Sequence, residues 1–485
     1  MSARVATPAR AAALTRILGQ VSCFPELRFD ARSPRPAREV RAAIGVGGDQ
    51  SGDSDVRESA QIDESSQGEL PAPSGGLAGA IEFATLRHWL TAESIARVMC
   101  TRPWLEVQPE VRAALLVGAT QIFFMPREPV HAVVDDCVSW TRGRLQAGAG
   151  GFVNALLRRI AGLRGVLLPA SDKTAWWEMA DAIPLPDGTV LKLNEPVFSA
   201  DPIARLSAQT SHPMALIARW SGARGMATAR TLAAHNLVQM PIVIHSGSGR
   251  SIGDDPMLAE HSVRHSHEGF AVWTGSTGDL ARALQARSDL IVQDPASARA
   301  VDSTRDLSPK RILDACAGRG TKAVQCAMRH PNAEVWATDP DLQRLDTLRA
   351  RAKPFANLRV VELAELGRLP RYFDLVILDV PCSNTGVLAR RLEARYRFTD
   401  RNLDELTRLQ RGIADHHRGL CAPGGTLIWS TCSLDKAENQ DQVRWLAKQS
   451  GGRVVGDEEF LPQGAPGDPP SECTDGAYHA RIAIA

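Results

Sequence analysis

The chain has 485 residues, 44% hydrophobic and 23% charged, the composition of a globular protein with several domains that each bury a core. Lysine and arginine (56) balance aspartate and glutamate (55) to a net charge of +1, so no global field marks a nucleic-acid partner and any basic surface is local. Nine cysteines, odd in number and mostly set in apolar runs, are expected to be reduced thiols of a cytoplasmic protein, and no run reaches the ~18 apolar residues of a membrane span.

The opening "MSARVATPARAAALTRILGQV" is Arg-rich and acid-free; it reads as a first helix, with a mitochondrial transit peptide as the other reading. Residues 31–77 are too polar and too rich in Gly and Ser to form a core, so a disordered insert is expected. From "IEFATLRHWLTAESIARVM" through "GGFVNALLRRIAGL", at least four amphipathic helical patterns follow without a convincing strand, which predicts a helical bundle. A Pro-rich stretch over 166–200 reads as a linker. Helical "HPMALIARWSGARGMATARTLAAHN" and strand-like "MPIVIHS" then predict a small α+β module over 201–289. Its cluster "HSVRHSHEG" lacks a second ligand group at a convincing spacing and reads as a solvated loop, so no metal site is expected.

From residue 290, short apolar runs alternate with helical segments: "RILDACA", "AEVWATD", "LRVVEL", "FDLVILDV" and "GTLIWSTC" are of strand length. Buried parallel strands with crossover helices are the economical solution, and ligands of such sheets bind beyond the carboxyl ends of the strands. Asp314, Cys316, Asp339, Asp379, Cys382, Thr431 and Cys432 all fall at those ends. In "LDACAGRGTK", Gly318 and Gly320 permit a tight turn against a ligand, and Asp339 closes the next strand, where a carboxylate accepts from ribose hydroxyls. Glycine turn and acid together suit a nucleoside cofactor, either NAD or S-adenosylmethionine. Taken singly, each cysteine also reads as a small core residue, and Cys316, Cys326 and Cys421 sit in contexts that favour that role over catalysis.

"DACAGRGTK", "DVPCSNTG" and "STCSLDKAEN", in this order, resemble the cofactor-loop, Pro-Cys and Thr-Cys motifs of the NOL1/NOP2/Sun family of RNA cytosine-C5 methyltransferases. "VQDPAS" is similar to the segment that covers the cofactor in that family, and "TDGAYHARI" to its terminal strand. "FVNALLRRI", closing a helical bundle, resembles the NusB-like domain of the Sun/RsmB branch, which modifies small-subunit ribosomal RNA. The resemblance implies a multidomain protein: a NusB-like bundle over 1–165, a small α+β RNA-recognition extension, and a Rossmann-like methyltransferase domain over 290–485.

It further implies Cys432 as nucleophile, Cys382 in product release, Asp379 at the edge of the cytosine and Lys322 as an orienting group. S-adenosylmethionine would be held by Cys316, Ala317, Gly318, Arg319, Gly320, Thr321, Lys322, Asp339 and Asp379. Arg390 and Arg391 of "ARRLEARYR" would contact RNA phosphates. The expected partner is RNA, ribosomal rather than transfer RNA, with no membrane, no metal and a monomeric state. A non-catalytic RNA-binding or ribosome-assembly factor on the same fold is the rival reading, whereas a nicotinamide dehydrogenase would leave both cysteine motifs without a use.

Three departures from the family pattern bear on the site. The cofactor loop reads Ala-Gly-Arg-Gly-Thr-Lys where the common form is Ala-Ala-Pro-Gly-Gly-Lys, which places Arg319 in a turn expected to be crowded. After the third strand, "VVELAEL" offers Glu362 or Glu365 where the family has an aspartate, and "ARRLEARYR" lacks the family's proline.

Overall fold

The computed structural model describes residues 6–25, 76–170, 174–367, 369 and 371–485. The insert expected over 31–77 lies outside the described residues except for its last two positions, Gly76 and Leu77, which open a helix.

The N-terminal bundle comprises helices Pro8–Cys23, Gly76–Arg87, Trp89–Met99, Pro109–Phe124, Val130–Arg142 and Ala147–Gly162. Pro109–Phe124 begins with proline, whose missing N–H costs nothing in a first turn. It is buried on almost every side, as befits a central helix around which the others assemble. Gly118 admits Leu157 of the last helix; a β-carbon there would stand 2.5 Å from Leu157 Cδ2. Buried Arg10 pairs with Asp136 at 2.8 Å and with Glu128, tying the first helix to its neighbours.

The stretch expected to be a linker is structured. Strands β1 (Arg164–Leu168), β2 (Ala182–Pro184) and β3 (Val190–Leu193) form an antiparallel sheet in the order β1-β3-β2. The prolines that suggested irregular chain are compatible with it, since Pro184 sits on an edge strand, where a missing donor is tolerated.

The extension follows as helices Pro202–Thr210 and Met214–His235, the second broken at Gly225 (φ 81°), then strands β4 (Ile242–Ser246), β5 (Ser262–Arg264), β6 (Phe270–Trp273) and β7 (Leu290–Val292). These strands form an antiparallel sheet in the order β5-β6-β4-β7, so the boundary expected at 289/290 falls before the last of them. The histidine cluster is not a solvated loop: buried His265 turns its Nε2 to the Cys473 carbonyl at 3.2 Å and fastens this sheet to the C-terminal segment.

The C-terminal domain is a seven-stranded sheet of β8 (Arg311–Asp314), β9 (Glu334–Ala337), β10 (Leu358–Val360), β11 (Phe373–Asp379), β12 (Cys421–Thr431), β13 (Arg453–Phe460) and β14 (Ala477–Ala483), in the order β10-β9-β8-β11-β12-β14-β13. β8 to β12 are parallel, and β14 runs antiparallel to both its neighbours. Helices Thr321–Arg329 and Leu342–Ala352 cover one face, while Asp400–Arg418 and Gln440–Ser450 cover the other. The strand order reverses between β8 and β11, so the crevice beyond Asp314 and Asp379 is the topological switch point, where this architecture binds ligands.

Segment 389–397 plays a part that its sequence did not suggest. Helix Leu392–Arg397 inserts Leu392 and Tyr396 into the core of the N-terminal bundle, and the Tyr396 hydroxyl donates to the Leu86 carbonyl at 2.6 Å. Among the described residues, no helix is long and apolar enough to cross a membrane.

Candidate functional site

At the switch point a cleft of about 1140 Å³ opens, and the expected side chains converge on it. Cys316, Ala317, Gly318, Arg319, Thr321, Lys322, Asp339, Asp379, Cys382 and Cys432 all line it. Gly320 does not. It stands behind the loop at φ 89°, where a β-carbon would come within 2.3 Å of Leu348 Cδ1, so it serves the approach of helix to loop rather than ligand contact. The crowding expected at Arg319 therefore belongs to Gly320; the Arg319 side chain is exposed.

Asp339, 6% exposed, accepts from the backbone N–H groups of Gly318 and Asp341, each at 2.9 Å. Burial raises its carboxyl above the usual value, opposed by those two donors. Glu362 and Glu365 are spent on each other in a capping box at the start of helix Leu363–Leu366, and the cleft is lined there by Leu363. Covering the crevice from the other side, "VQDPAS" contributes Gln293, Asp294 and Ser297.

Deeper in the cleft, Lys322 Nζ lies 2.8 Å from Asp379 Oδ2, and Ser430 Oγ donates to Asp379 Oδ1 at 2.8 Å. Burial alone would lower the Lys322 ammonium, but the Asp379 carboxylate outweighs it and the net shift is upward. Behind them Asp314 is fully buried, with Oδ2 lacking any hydrogen-bond partner. Desolvation, reinforced by the charge of Asp379, pushes its carboxyl up to about 7. Cys316 is half-buried beside it, and burial raises its thiol too.

The two cysteines of the Pro-Cys and Thr-Cys motifs meet. β11 and β12 are parallel neighbours, in register to Asp379 and Ser430, so the loops leaving them run side by side and bring Cys382 Sγ to 3.3 Å from Cys432 Sγ. Asn384, at φ 61°, accepts from Cys432 Sγ at 3.2 Å and donates to the Cys382 carbonyl at 2.8 Å. Asparagine is among the few residues with a side chain that adopt this backbone readily. The contact with Cys432, and then burial, push the Cys382 thiol well above its ordinary value, so it keeps its proton.

Sequence reasoning treated Glu438 only as part of a signature; the structure shows how it acts on both loops. Fully buried, it accepts from the Ser383 N–H and from Gln410 Nε2, each at 2.9 Å, and from the hydroxyls of Ser383 and Ser433. Each serine directly follows one of the paired cysteines, a repeat visible in "PCS" and "TCS" that could have revealed the clamp. Burial raises the Glu438 carboxyl in spite of these donors.

Arg390 lines the cleft, but its guanidinium is engaged with Asp475 (2.7 Å), Asp294 (3.1 Å) and the Pro241 carbonyl (2.7 Å). It is a strut that closes the rim, not the free phosphate ligand expected, because three of its N–H groups are held by the protein. Arg391 also lines the cleft. Among the described residues, no group of three or more His, Cys, Asp or Glu stands where it could hold a metal ion.

Residues 306–457 match the family model described as 16S rRNA methyltransferase RsmB/F, and residues 38–162 match the NusB family. A ribosomal RNA small subunit methyltransferase B of Xanthomonas campestris is 29% identical, over 76% of this chain and 78% of that protein. A probable ribosomal RNA small subunit methyltransferase B of Bacillus subtilis is 24% identical, over 77% and 80%. The crystal structure of PH0851 superposes with a TM-score of 0.62 over 99% of this chain and 100% of its own, at 19% identity, and so shares the fold. The cofactor is S-adenosylmethionine, and the residues present fit it: Asp339 is a carboxylate at a strand end with acceptor capacity left for a ribose, and Gly318 leaves the loop backbone open, with nothing within 4 Å of where a β-carbon would stand. Motif order, the cleft that unites the motifs and the two family matches lead to one conclusion: residues 306–457 form a methyltransferase domain of the RsmB/F type and residues 38–162 match the NusB family.

Proposed function

We propose that the protein methylates C5 of a cytosine in RNA, small-subunit ribosomal RNA being the substrate, through a covalent adduct between Cys432 and C6 of the base. The observation that carries this reading is the pair of thiols 3.3 Å apart at the ends of adjacent strands, beside the Lys322–Asp379 ion pair and in the same cleft as Asp339. A cysteine pair with one thiol held protonated has an evident use when a thiolate must first attack and later depart. The similarity to ribosomal RNA small subunit methyltransferases B supports ribosomal RNA as substrate.

Bound in the cleft, S-adenosylmethionine supplies the methyl group. The target base must first leave its stack to reach the strand ends. The Lys322–Asp379 pair offers it both a donor and an acceptor for its polar edge. The Cys432 sulfur then forms a bond to C6, which makes C5 electron-rich enough to take the methyl. A base removes the C5 proton, the C5–C6 double bond reforms as the sulfur–C6 bond breaks, and the protonated Cys382 thiol donates a hydrogen bond to the departing Cys432 thiolate. Lys322 is the cation placed near the attacking and departing sulfur, and the charge of Cys432 is among the influences that raise its ammonium.

The test uses both cysteines. Cys432→Ala should abolish methylation and leave cofactor affinity nearly intact, while Cys382→Ala should accumulate a protein–RNA adduct that survives denaturant. Unchanged turnover in Cys432→Ala would refute the assignment, and an adduct seen only in that variant would reverse the two roles.

A further inference from the structure

A second hollow, of about 240 Å³, lies outside the catalytic cleft, between the turn at Trp176–Glu178, the β2–β3 turn, the end of helix Met214–His235 and residues 465–466. Its walls are aromatic and cationic. Trp176 and Trp177 meet edge to face with ring centres 5.6 Å apart, and the Arg230 guanidinium lies 3.9 Å over the Trp177 ring. Both tryptophans are only part-buried, and neither indole N–H, nor any guanidinium N–H of Arg230, meets a protein acceptor among the described residues.

The hollow is preformed. Gln209 Nε2 donates to the carbonyls of Trp176, Met179 and Ala182 at 2.8 to 3.0 Å, and Arg205 Nε to that of Trp177 at 2.8 Å. On the opposite wall, Gly188 (φ 84°) abuts Pro466 so closely that a β-carbon would lie 2.8 Å from its carbonyl oxygen. The volume is below the ~300–1,000 Å³ of sites that enclose a whole small ligand, so it suits one ring system of a larger molecule. Exposed Glu178 and Asp187 adjoin the lining residues, which disfavours a phosphate cluster and leaves stacking, with Arg230 free to donate to the acceptor edge of a base. The same helix reaches the catalytic loops: Arg224 donates to the Leu434 carbonyl at 2.7 Å, two residues beyond Cys432, and Arg219 pairs with Asp435.

We propose that this hollow is a second RNA subsite, which stacks one unpaired nucleobase of the molecule whose cytosine enters the cleft, on Trp177 and Arg230. The proposal rests on the RNA-methyltransferase reading. Its test is binding and methylation of unmodified small-subunit ribosomal RNA, transcribed in vitro, by the full chain and its variants. Trp177→Ala should weaken RNA binding roughly ten-fold or more and raise KM for RNA, with kcat at saturating RNA and cofactor affinity unchanged. Ala234→Leu, which fills the hollow without removing a wall, should act in the same direction, and Trp177→Phe should restore most of the affinity.

If the wild-type protein binds the RNA and both Trp177→Ala and Ala234→Leu bind it equally well, the subsite is refuted while the enzymatic reading stands. A fall in kcat with KM unchanged would also refute it, by making Trp177 a structural prop. A wild-type protein that binds no RNA would overturn both readings.

Discussion

Two regions of the molecule bury ionisable groups, and they do so in opposite ways. In the loops that carry Cys382 and Cys432 the buried group is a carboxyl: Glu438 is surrounded by one backbone N–H, one amide and two hydroxyls. At the junction of the domains it is a cation. Arg395, fully buried, donates to the carbonyls of Arg87 (3.1 Å), Thr210 (3.3 Å), Ser211 (3.3 Å), Asn236 (2.8 Å) and Leu388 (3.5 Å). Arg87 beside it donates to the carbonyls of Leu237 and Val238 at 2.7 Å and of Ala389 at 3.3 Å.

Neither guanidinium has a carboxylate against it in these bonds. Apart from those of Leu388 and Ala389, the carbonyls lie at or just beyond the ends of helices Gly76–Arg87, Pro202–Thr210 and Met214–His235, where orphan acceptors and the negative end of the macrodipole converge. Burial, and then the charge of Arg395, lowers Arg87 to about 10, and burial lowers Arg395 as well. The difference teaches a division of labour. Carbonyl cages around cations join separate domains, because every helix end supplies acceptors, whereas a donor cage around one carboxylate aligns two loops within a domain.

The largest expected effect comes from breaking the junction. Arg395→Ala leaves five carbonyls without their donor and should cost about 3–5 kcal/mol, as the loss of one partner from a buried ion pair does. A fall in the first denaturant transition, together with faster proteolysis between bundle and catalytic domain, would show it; an unchanged midpoint would remove Arg395 as the staple.

Glu438→Gln breaks the other side of the comparison. It should cost only about 1–3 kcal/mol, yet it loosens the cysteine pair, and misplacement near 1 Å costs on the order of 10²-fold in rate. Single-turnover methylation with cofactor affinity measured in parallel separates these, and an unimpaired rate would mean that the clamp does not set the spacing of the thiols.

The smallest effect sharpens the comparison by adding a third buried ionisable group. Asp314, near 7 in the folded protein and about 3.9 unfolded, holds its proton more tightly when folded. Its contribution to stability is fully present below about pH 4 and is lost as pH rises through about 7. Asp379, Asp339 and Lys322 act on this group, so the profile reports on the whole cleft floor. Asp314→Asn, uncharged throughout, should gain stability relative to wild type at pH 8 more than at pH 5. A difference in melting midpoint that stays constant with pH would contradict the assignment.

Much of the site was legible because its chemistry is local. Cys382, Cys432, Asp339 and Asp379 sit at the ends of short apolar runs, and strand ends in a parallel sheet share one edge, so their meeting followed from the pattern alone. Arg390 was misread for the complementary reason: its partners Asp294 and Asp475 are remote in sequence, and nothing near it announces an ion pair. The sheet over 164–193 was missed because its strands are short and interrupted by prolines, while β13 alternates weakly and gains its place only by pairing with β14.

What the sequence by itself determined about this protein is the order of its domains, the parallel core of its sheet and the identity of the residues at the strand ends, because periodicity and turn chemistry act over a few residues. Only the tertiary structure decided which charges are paired and which are buried alone. It also put a serine of each cysteine loop on one glutamate and sent a helix of the catalytic domain into the N-terminal core. The physical reason is that burial and hydrogen-bond partnership belong to the environment a residue meets in the fold, not to its neighbours along the chain.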